Sequence, residues 1–83
     1  MPKPKATIQK SFCVEKGLTG NGEPYTSIIQ RAREVLFVRP MEKDVWGLWV
    51  HLAKEDSPRL LSTHKERDDA EKAMFEWFLE NVL

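Results

Sequence analysis

The spacing of apolar residues predicts a β-strand near the start of the chain. Over residues 6–15, Ile8, Phe12 and Val14 fall on one parity, while most residues of the other parity are polar. An extended chain sends alternate side chains to opposite sides, so this segment is expected to form a half-buried strand. Residues 16–24 contain three of the four glycines and one proline, and this composition predicts a long loop.

Residues 25–34 fit two patterns. Ser27 and Gln30 have the spacing of a helix capping box, whereas the β-branched residues before and between them favour a strand. No glycine or proline separates this segment from the β-rich residues 35–39, so a helix here would have to turn directly into a strand. We favour the strand, with the chain extended as far as Pro40, which should end it.

The clearest strand is predicted over residues 45–53. One parity of this segment is wholly apolar and should face the core, namely Trp46, Leu48, Val50 and Leu52. Residues 41–44 are polar for the most part and are expected to form the hairpin connection before it. A turn that ends at Pro58 should then lead into a short last strand over residues 59–62.

A long helix is predicted at the C-terminal end. Thr63 and Glu66 have the spacing of a capping box, with Thr63 as the N-cap. Apolar residues then recur at steps of three and four, as they do on one side of a helix, at Ala70, Ala73, Met74, Trp77 and Phe78. The helix should run to near Val82.

Together these elements predict an α+β fold. An antiparallel meander of four or five strands should carry the long C-terminal helix packed on one face. Residues 1–5 contain two prolines and two lysines and are expected to form a flexible basic tail. Residues 6–83 then form a single domain, which fits a chain of 83 residues.

Charge is unevenly distributed, although the chain as a whole is neutral. Thirteen basic and thirteen acidic residues give a net charge of zero, which argues against a uniformly basic surface for nucleic acid. Residues 1–41 carry seven basic and three acidic residues, 7 − 3 = +4, whereas residues 42–83 carry six and ten, 6 − 10 = −4. This asymmetry suits neutralisation of the basic strands by the acidic helix, or a partner with a matching field.

Composition also limits the compartment and the chemistry. A single cysteine cannot form an internal disulfide, no apolar run approaches the roughly 18 residues of a membrane span, and the first residues do not resemble a signal peptide. We therefore expect a cytoplasmic protein without a membrane role. Cys13, His51 and His64 match neither a zinc spacing nor a pair of nucleophile and base, so we expect no enzymatic activity, no metal and no cofactor.

A row of arginines supports a nucleic-acid-binding hypothesis. If residues 27–39 are extended, Arg31, Arg33 and Arg39 share one parity and form a basic row, beside which aromatic side chains can stack on bases. The order of elements also resembles the single-strand-DNA-binding transcription coactivator and Whirly folds, a likeness of fold alone that implies a single-stranded ligand. We keep single-stranded nucleic-acid binding as the alternative function.

The chain has more apolar surface than one sheet and one helix can bury. On the helix, Phe75, Leu79 and Val82 extend the apolar arc to roughly two-thirds of the circumference. Trp49 lies on the strand parity that faces away from the helix. Exposed apolar surface of this kind marks an interaction site. We predict that these four residues form protein interfaces, with a homodimer joined either through the C-terminal helix or sheet to sheet through Trp49, and with an unidentified protein partner.

A likeness to small uncharacterised bacterial and phage domains agrees with this interpretation. These domains share a hydrophobic hairpin containing Val-x-Pro, a tryptophan in the next strand and a capped, alanine-rich helix. The matching residues here are Phe37, Val38, Pro40, Trp46 or Trp49, Thr63, Ala70 and Ala73. The resemblance covers about half the chain and implies no enzymatic activity. We expect a small non-enzymatic regulator, adaptor or inhibitor of a larger protein, of the kind that phages and mobile elements encode.

Overall fold

The computed structural model describes residues 12–82 and confirms the predicted α+β fold. The elements are β1 (Cys13–Leu18), β2 (Pro24–Gln30), β3 (Arg33–Glu42), β4 (Val45–Val50), β5 (Arg59–His64) and α1 (Arg67–Asn81). The five strands form one antiparallel sheet in which spatial order follows chain order. The tail predicted over residues 1–5, and the first part of the strand predicted over residues 6–15, lie outside the described residues.

The hydrophobic core lies between α1 and one face of the sheet. Its fully buried side chains come from the helix and from β2, β3 and β4, and include Ile28, Leu36, Val38, Leu48, Val50, Ala70, Met74 and Phe78. The predicted inward parity of β4 is therefore confirmed. On the helix, the buried line follows a step of four through Ala70, Met74 and Phe78, so Ala73 and Trp77 lie on its flank and are half-buried.

The edge strand β1 is less buried than its alternating pattern predicted. Phe12 and Val14 retain 40% and 42% of their exposure, because α1 packs on β3, β4 and β5 rather than over β1. The helix contacts this edge through Phe78, whose ring meets that of Phe12 edge-on at a centroid distance of 4.6 Å.

The prediction of a long loop over residues 16–24 is wrong. Strand β1 continues to Leu18, and β2 begins at Pro24. Thr19 closes the short turn between them, since its backbone N–H donates to the Glu23 carbonyl and its hydroxyl oxygen accepts from the backbone N–H groups of Asn21 and Glu23. The threonine thus organises a turn that the glycines alone suggested would be longer.

Residues 24–30 form a strand, as we favoured, but the chain is not extended through to Pro40. Arg31 and Ala32 have φ angles of +56° and +62°, and Gln30 pairs with Arg33 across them. A two-residue connection with positive φ at both positions is typical of the type I′ hairpin turn. Neither Arg31 nor Ala32 predicts this turn, because such turns favour glycine, asparagine and aspartate.

Relieving this left-handed backbone is expected to stabilise the protein. A side chain in the left-handed region costs about 1–2 kcal/mol, and glycine recovers part of this at an entropic cost. We therefore expect Ala32→Gly to raise the free energy of unfolding by about 0.5–1 kcal/mol in a denaturant titration. Ala53→Gly makes the same change at an exposed turn whose φ is not positive and should not stabilise. If Ala32→Gly and Ala53→Gly lower the free energy of unfolding equally, the type I′ turn at Arg31 and Ala32 is contradicted.

Strand β3 is longer than predicted. Pro40 does not end it; the strand continues to Glu42, with a register irregularity between Pro40 and Glu42 that accommodates the missing N–H. The connection to β4 is consequently the tight pair Lys43 and Asp44, the latter with φ of +59°. Strand β4 ends at Val50, before the predicted end at residue 53. Strand β5 continues to His64, beyond the predicted end at residue 62.

The helix begins later than predicted, and without a side-chain cap. Glu66 is its N-cap residue and makes no capping hydrogen bond, while Thr63 pairs with Gly47 inside the sheet. The capping box is therefore wrong, because ladder pairing holds the Thr63 backbone in β5. The first turn is instead attached to β2, where the Arg67 guanidinium donates to the Tyr25 carbonyl.

Candidate functional site

Aromatic side chains occupy the sheet face opposite the helix. Phe37 of β3 pairs with Trp49 of β4, and their rings stack at a centroid distance of 5.4 Å and an interplanar angle of 14°. Tyr25 of β2 and Arg39 of β3 fall on the same side by register. We call the surface made by Tyr25, Phe37, Arg39 and Trp49 the aromatic face.

Two strand glycines allow these rings to lie against the sheet. A Cβ atom at Gly47 would lie 2.5 Å from the Trp49 ring and 2.9 Å from the Met41 sulfur. A Cβ atom at Gly17 would lie 3.2 Å from the Tyr25 hydroxyl oxygen. Glycine inside a strand marks close approach of another group, and in this sheet that group is an aromatic ring in both cases.

Arg39 is held on the aromatic face by a ring and a carboxylate. Its guanidinium carbon lies 4.6 Å from the centroid of Phe37, and its Nη2 lies 3.8 Å from Glu34 Oε1. The Glu34 carboxylate also accepts a hydrogen bond from the buried Ser27 hydroxyl. Arg39 Nε is buried and has no hydrogen-bond partner among the described residues, so this arginine retains an unused donor.

The electrostatics of the aromatic face favour a neutral tyrosine. Burial raises the pKa of Tyr25 above the ordinary value of 10.0, and Glu15 raises it further through its negative charge and a hydrogen bond. Glu34 acts in the same direction, while Arg39 opposes it. The surface around the rings thus carries two carboxylates and one guanidinium, and the phenol stays protonated as a hydrogen-bond donor.

The ionisation of Tyr25 can be measured directly, because it is the only tyrosine. We expect its phenolate absorbance to appear at higher pH in the folded protein than in the chain unfolded by denaturant. Because the folded pKa is raised, the corresponding contribution to stability is present below about pH 10 and is lost as the pH rises through the folded value. Glu15→Gln should lower the midpoint. A folded midpoint at or below the unfolded one would contradict this arrangement.

The structure does not bring the four predicted interface residues together. Trp49 lies on the aromatic face, half-buried against Phe37, whereas the other three are on α1. Phe75 and Val82 pack in part against the core, and Leu79 is 60% exposed. The prediction thus corresponds to two separate surfaces, one on each side of the sheet.

The predicted basic row does not form. It required an extended chain from residue 27 to residue 39, but Arg31 lies in the β2–β3 turn and Arg33 begins β3. Arg39 is six residues farther along the strand, roughly 20 Å away at the rise of an extended chain. Arg39 is also ion-paired with Glu34.

Two exposed apolar residues beside the aromatic face were not singled out from the sequence. Leu60 pairs with Trp49 from β5, and Met41 lies close to Gly47; both are more than two-fifths exposed. Met41 was not predicted to lie on the sheet, because a proline such as Pro40 usually ends a strand. Leu60 was missed because its position depends on a register shift near Trp49, which alternation alone does not reveal.

The cysteine and the two histidines have the following surroundings in the described part of the chain. Cys13 is a free, exposed thiol. No three His, Cys, Asp or Glu side chains among residues 12–82 are grouped so as to hold a metal ion. His51 Nε2 lies 3.0 Å from the Glu55 carbonyl oxygen, and His64 Nε2 lies 2.8 Å from the Ser62 hydroxyl. The described helix does not have the length and apolar character needed to cross a membrane.

Comparison with known proteins provides no family assignment. No protein-family model matches the chain, and no curated protein or solved structure matches it significantly.

Proposed function

We propose that this protein is a non-enzymatic protein-binding module that forms a homodimer through its aromatic face, with Trp49 as the anchor. The observation that supports this most directly is the stacked pair of Phe37 and Trp49, flanked by Tyr25 and Arg39, on a face that no other described element covers. Tryptophan, tyrosine and arginine dominate the energetics of protein interfaces, and exposed methionine such as Met41 is also enriched there.

The side of the sheet that carries the aromatic face is large enough for a specific dimer. Its five strands, spaced roughly 4.8 Å apart and mostly six or seven residues long, span an area of roughly 24 by 20 Å before side-chain relief is counted. The ten residues of β3 extend it further. A standard interface buries about 800 Å² per partner, which is of the same order as this face with its protruding side chains.

A second copy is the occupant that matches the charges best. In a twofold interface the same surface must complement itself. The aromatic face carries one guanidinium, at Arg39, and two carboxylates, at Glu15 and Glu34. The Arg39 side chain is 42% exposed, so its guanidinium in one subunit can meet a carboxylate of the other. The two helices would then lie outermost, each presenting Leu79 to a further protein partner.

Removing the indole should separate the subunits. We expect Trp49→Ser to convert a dimer into a monomer, measured as mass by light scattering on a size-exclusion column, because truncating an interface anchor typically costs 2 kcal/mol or more. Leu79→Ser is the matched control, since it removes an exposed apolar side chain from the opposite side of the sheet. A Trp49→Ser protein that is folded by circular dichroism and still dimeric would refute the proposed interface.

Single-stranded nucleic-acid binding is the second candidate, and one observation favours it. Aromatic rings lying on an open antiparallel sheet can stack with bases. The charges oppose it, because the carboxylates around the rings outnumber the guanidinium and would repel phosphates. This alternative predicts affinity for an oligonucleotide that falls steeply with salt, and loss of that affinity on charge reversal at Arg39, the guanidinium of the aromatic face. Absence of binding at low salt would exclude it.

A further inference from the structure

We infer that the end of the sheet, away from the aromatic face, carries a binding site for a phosphate group. A cavity of about 130 Å³ opens where the β2–β3 turn meets the end of β4. The residues that line it include four with polar side chains, Gln30, Arg31, Arg33 and His51, and apolar residues such as Val35. The inference concerns a surface that the proposed dimer does not use.

The charge of the cavity favours an anion. Neither Arg31 nor Arg33 forms an ion pair with a carboxylate of residues 12–82, and none of the residues that line the cavity is acidic. Other arginines of the described chain do have carboxylate partners, as Arg59 does at Glu55 and Arg67 at Glu71. The two arginines that line the cavity thus have no carboxylate partner among residues 12–82.

The donors match a phosphoryl group better than a single negative charge. Each guanidinium presents several N–H donors in a fixed plane, and the Gln30 amide adds two more. A phosphate monoester carries nearly two negative charges at neutral pH, which balances Arg31 and Arg33. His51 is fixed beside them, because its backbone N–H donates to the Val35 carbonyl and its Nε2 lies 3.0 Å from the Glu55 carbonyl oxygen.

The size of the cavity admits a phosphoryl group. A water molecule occupies about 30 Å³ of liquid, so a cavity of about 130 Å³ has at least the volume of about four waters. That is enough for one tetrahedral phosphoryl group, which is the part of the ligand that the arginines would recognise.

The turn that positions Arg31 is itself unusual. Arg31 and Ala32 both adopt positive φ without the glycine or asparagine that such a turn favours. Backbone in sparsely populated conformations tends to persist where function requires it. Arg31 lines the cavity, so an arginine at this position brings a positive charge to the site that asparagine or glycine would not.

The test is a titration of the full chain with inorganic phosphate, monitored by NMR, with the ionic strength held constant by sodium chloride. We expect saturable changes in the chemical shifts of Gln30, Arg31, Arg33 and His51.

Two arginine variants test the contacts. Arg31→Asn and Arg33→Gln should each weaken phosphate binding about tenfold or more, because each removes a charge-assisted contact. Asparagine suits the left-handed backbone, so the first variant should stay folded. Lys43→Gln, which removes one charge at the opposite end of β3, should bind as the original protein does.

Several results of this titration would overturn the proposed phosphate site. Failure to saturate with phosphate, or equal binding by the arginine variants and Lys43→Gln, would overturn the inference. A nucleoside monophosphate arm, with the nucleoside as its control, distinguishes a free phosphate from one carried on an organic group. The nucleoside alone should not shift these residues, and shifts produced by it would overturn the inference. Since mass is read from the same samples, failure of this site and failure of the dimer are observed independently.

Discussion

Adding one methyl group at Gly47 is expected to displace Trp49 and to weaken the dimer. The new Cβ would lie 2.5–2.6 Å from the edge of the indole ring and 2.9 Å from the Met41 sulfur, closer than such atoms can approach. The ring must therefore leave its position over the strand and lose its stack on Phe37. We expect Gly47→Ala to lower the free energy of unfolding by about 1–3 kcal/mol and to weaken association at least tenfold, that is by about 1.4 kcal/mol.

The direction of this result is diagnostic. Replacing glycine by alanine in a strand normally stabilises by about 0.5–1 kcal/mol, since glycine loses more entropy on folding. Gly20→Ala is the matched control, because a Cβ there meets no atom within 4 Å and its backbone is not left-handed. Denaturant titration and light scattering measure both effects. A Gly47→Ala protein that is as stable and as dimeric as the original would show that Trp49 does not rest on Gly47.

Removing the Glu71 carboxylate is expected to cause the second large loss. Glu71 accepts a hydrogen bond from the fully buried Thr26 hydroxyl and lies 3.2 Å from Arg67 Nε. Its side chain is only 14% exposed. Glu71→Ala leaves a buried hydroxyl without its acceptor and a half-buried guanidinium without its carboxylate. We expect a cost of about 2–3 kcal/mol in the free energy of unfolding, large against the roughly 5–15 kcal/mol of a typical domain.

Two further variants identify the source of this loss. Glu76→Ala removes a carboxylate from the exposed side of the same helix and should change stability by no more than about 0.5 kcal/mol. Thr26→Val removes the buried hydroxyl, so combining it with Glu71→Ala should cost less than the sum of the two single changes. Additive costs would show that the Thr26 hydroxyl and the Glu71 carboxylate do not stabilise each other.

The sequence predicted the features that depend on the spacing of apolar residues within one strand or helix. Leu48 and Val50 were assigned to the core from alternation along one strand, and Met74 and Phe78 from helical spacing; all four are buried. Both patterns persist because one face of each element meets the core. The fold class followed from the order of these elements.

Features set by backbone strain or by pairing between distant segments were not predictable in the same way. The Arg31–Ala32 turn lacks the residues that signal such turns. The helix start was misplaced because Thr63 pairs with Gly47, a contact between segments that local spacing does not reveal. The aromatic face shows the same limit, since parity placed Trp49 on the right side but could not identify Gly47 as the surface beneath its ring.

If a second copy covers the aromatic face, the original chain in solution has twice the mass of a single chain. One chain has a mass of 9.7 kDa, so a dimer has 2 × 9.7 = 19.4 kDa. Light scattering on a size-exclusion column should give about 19.4 kDa at both low and high salt, because stacked rings rather than surface charges supply most of the association. A mass of 9.7 kDa at every concentration and salt would contradict the dimer.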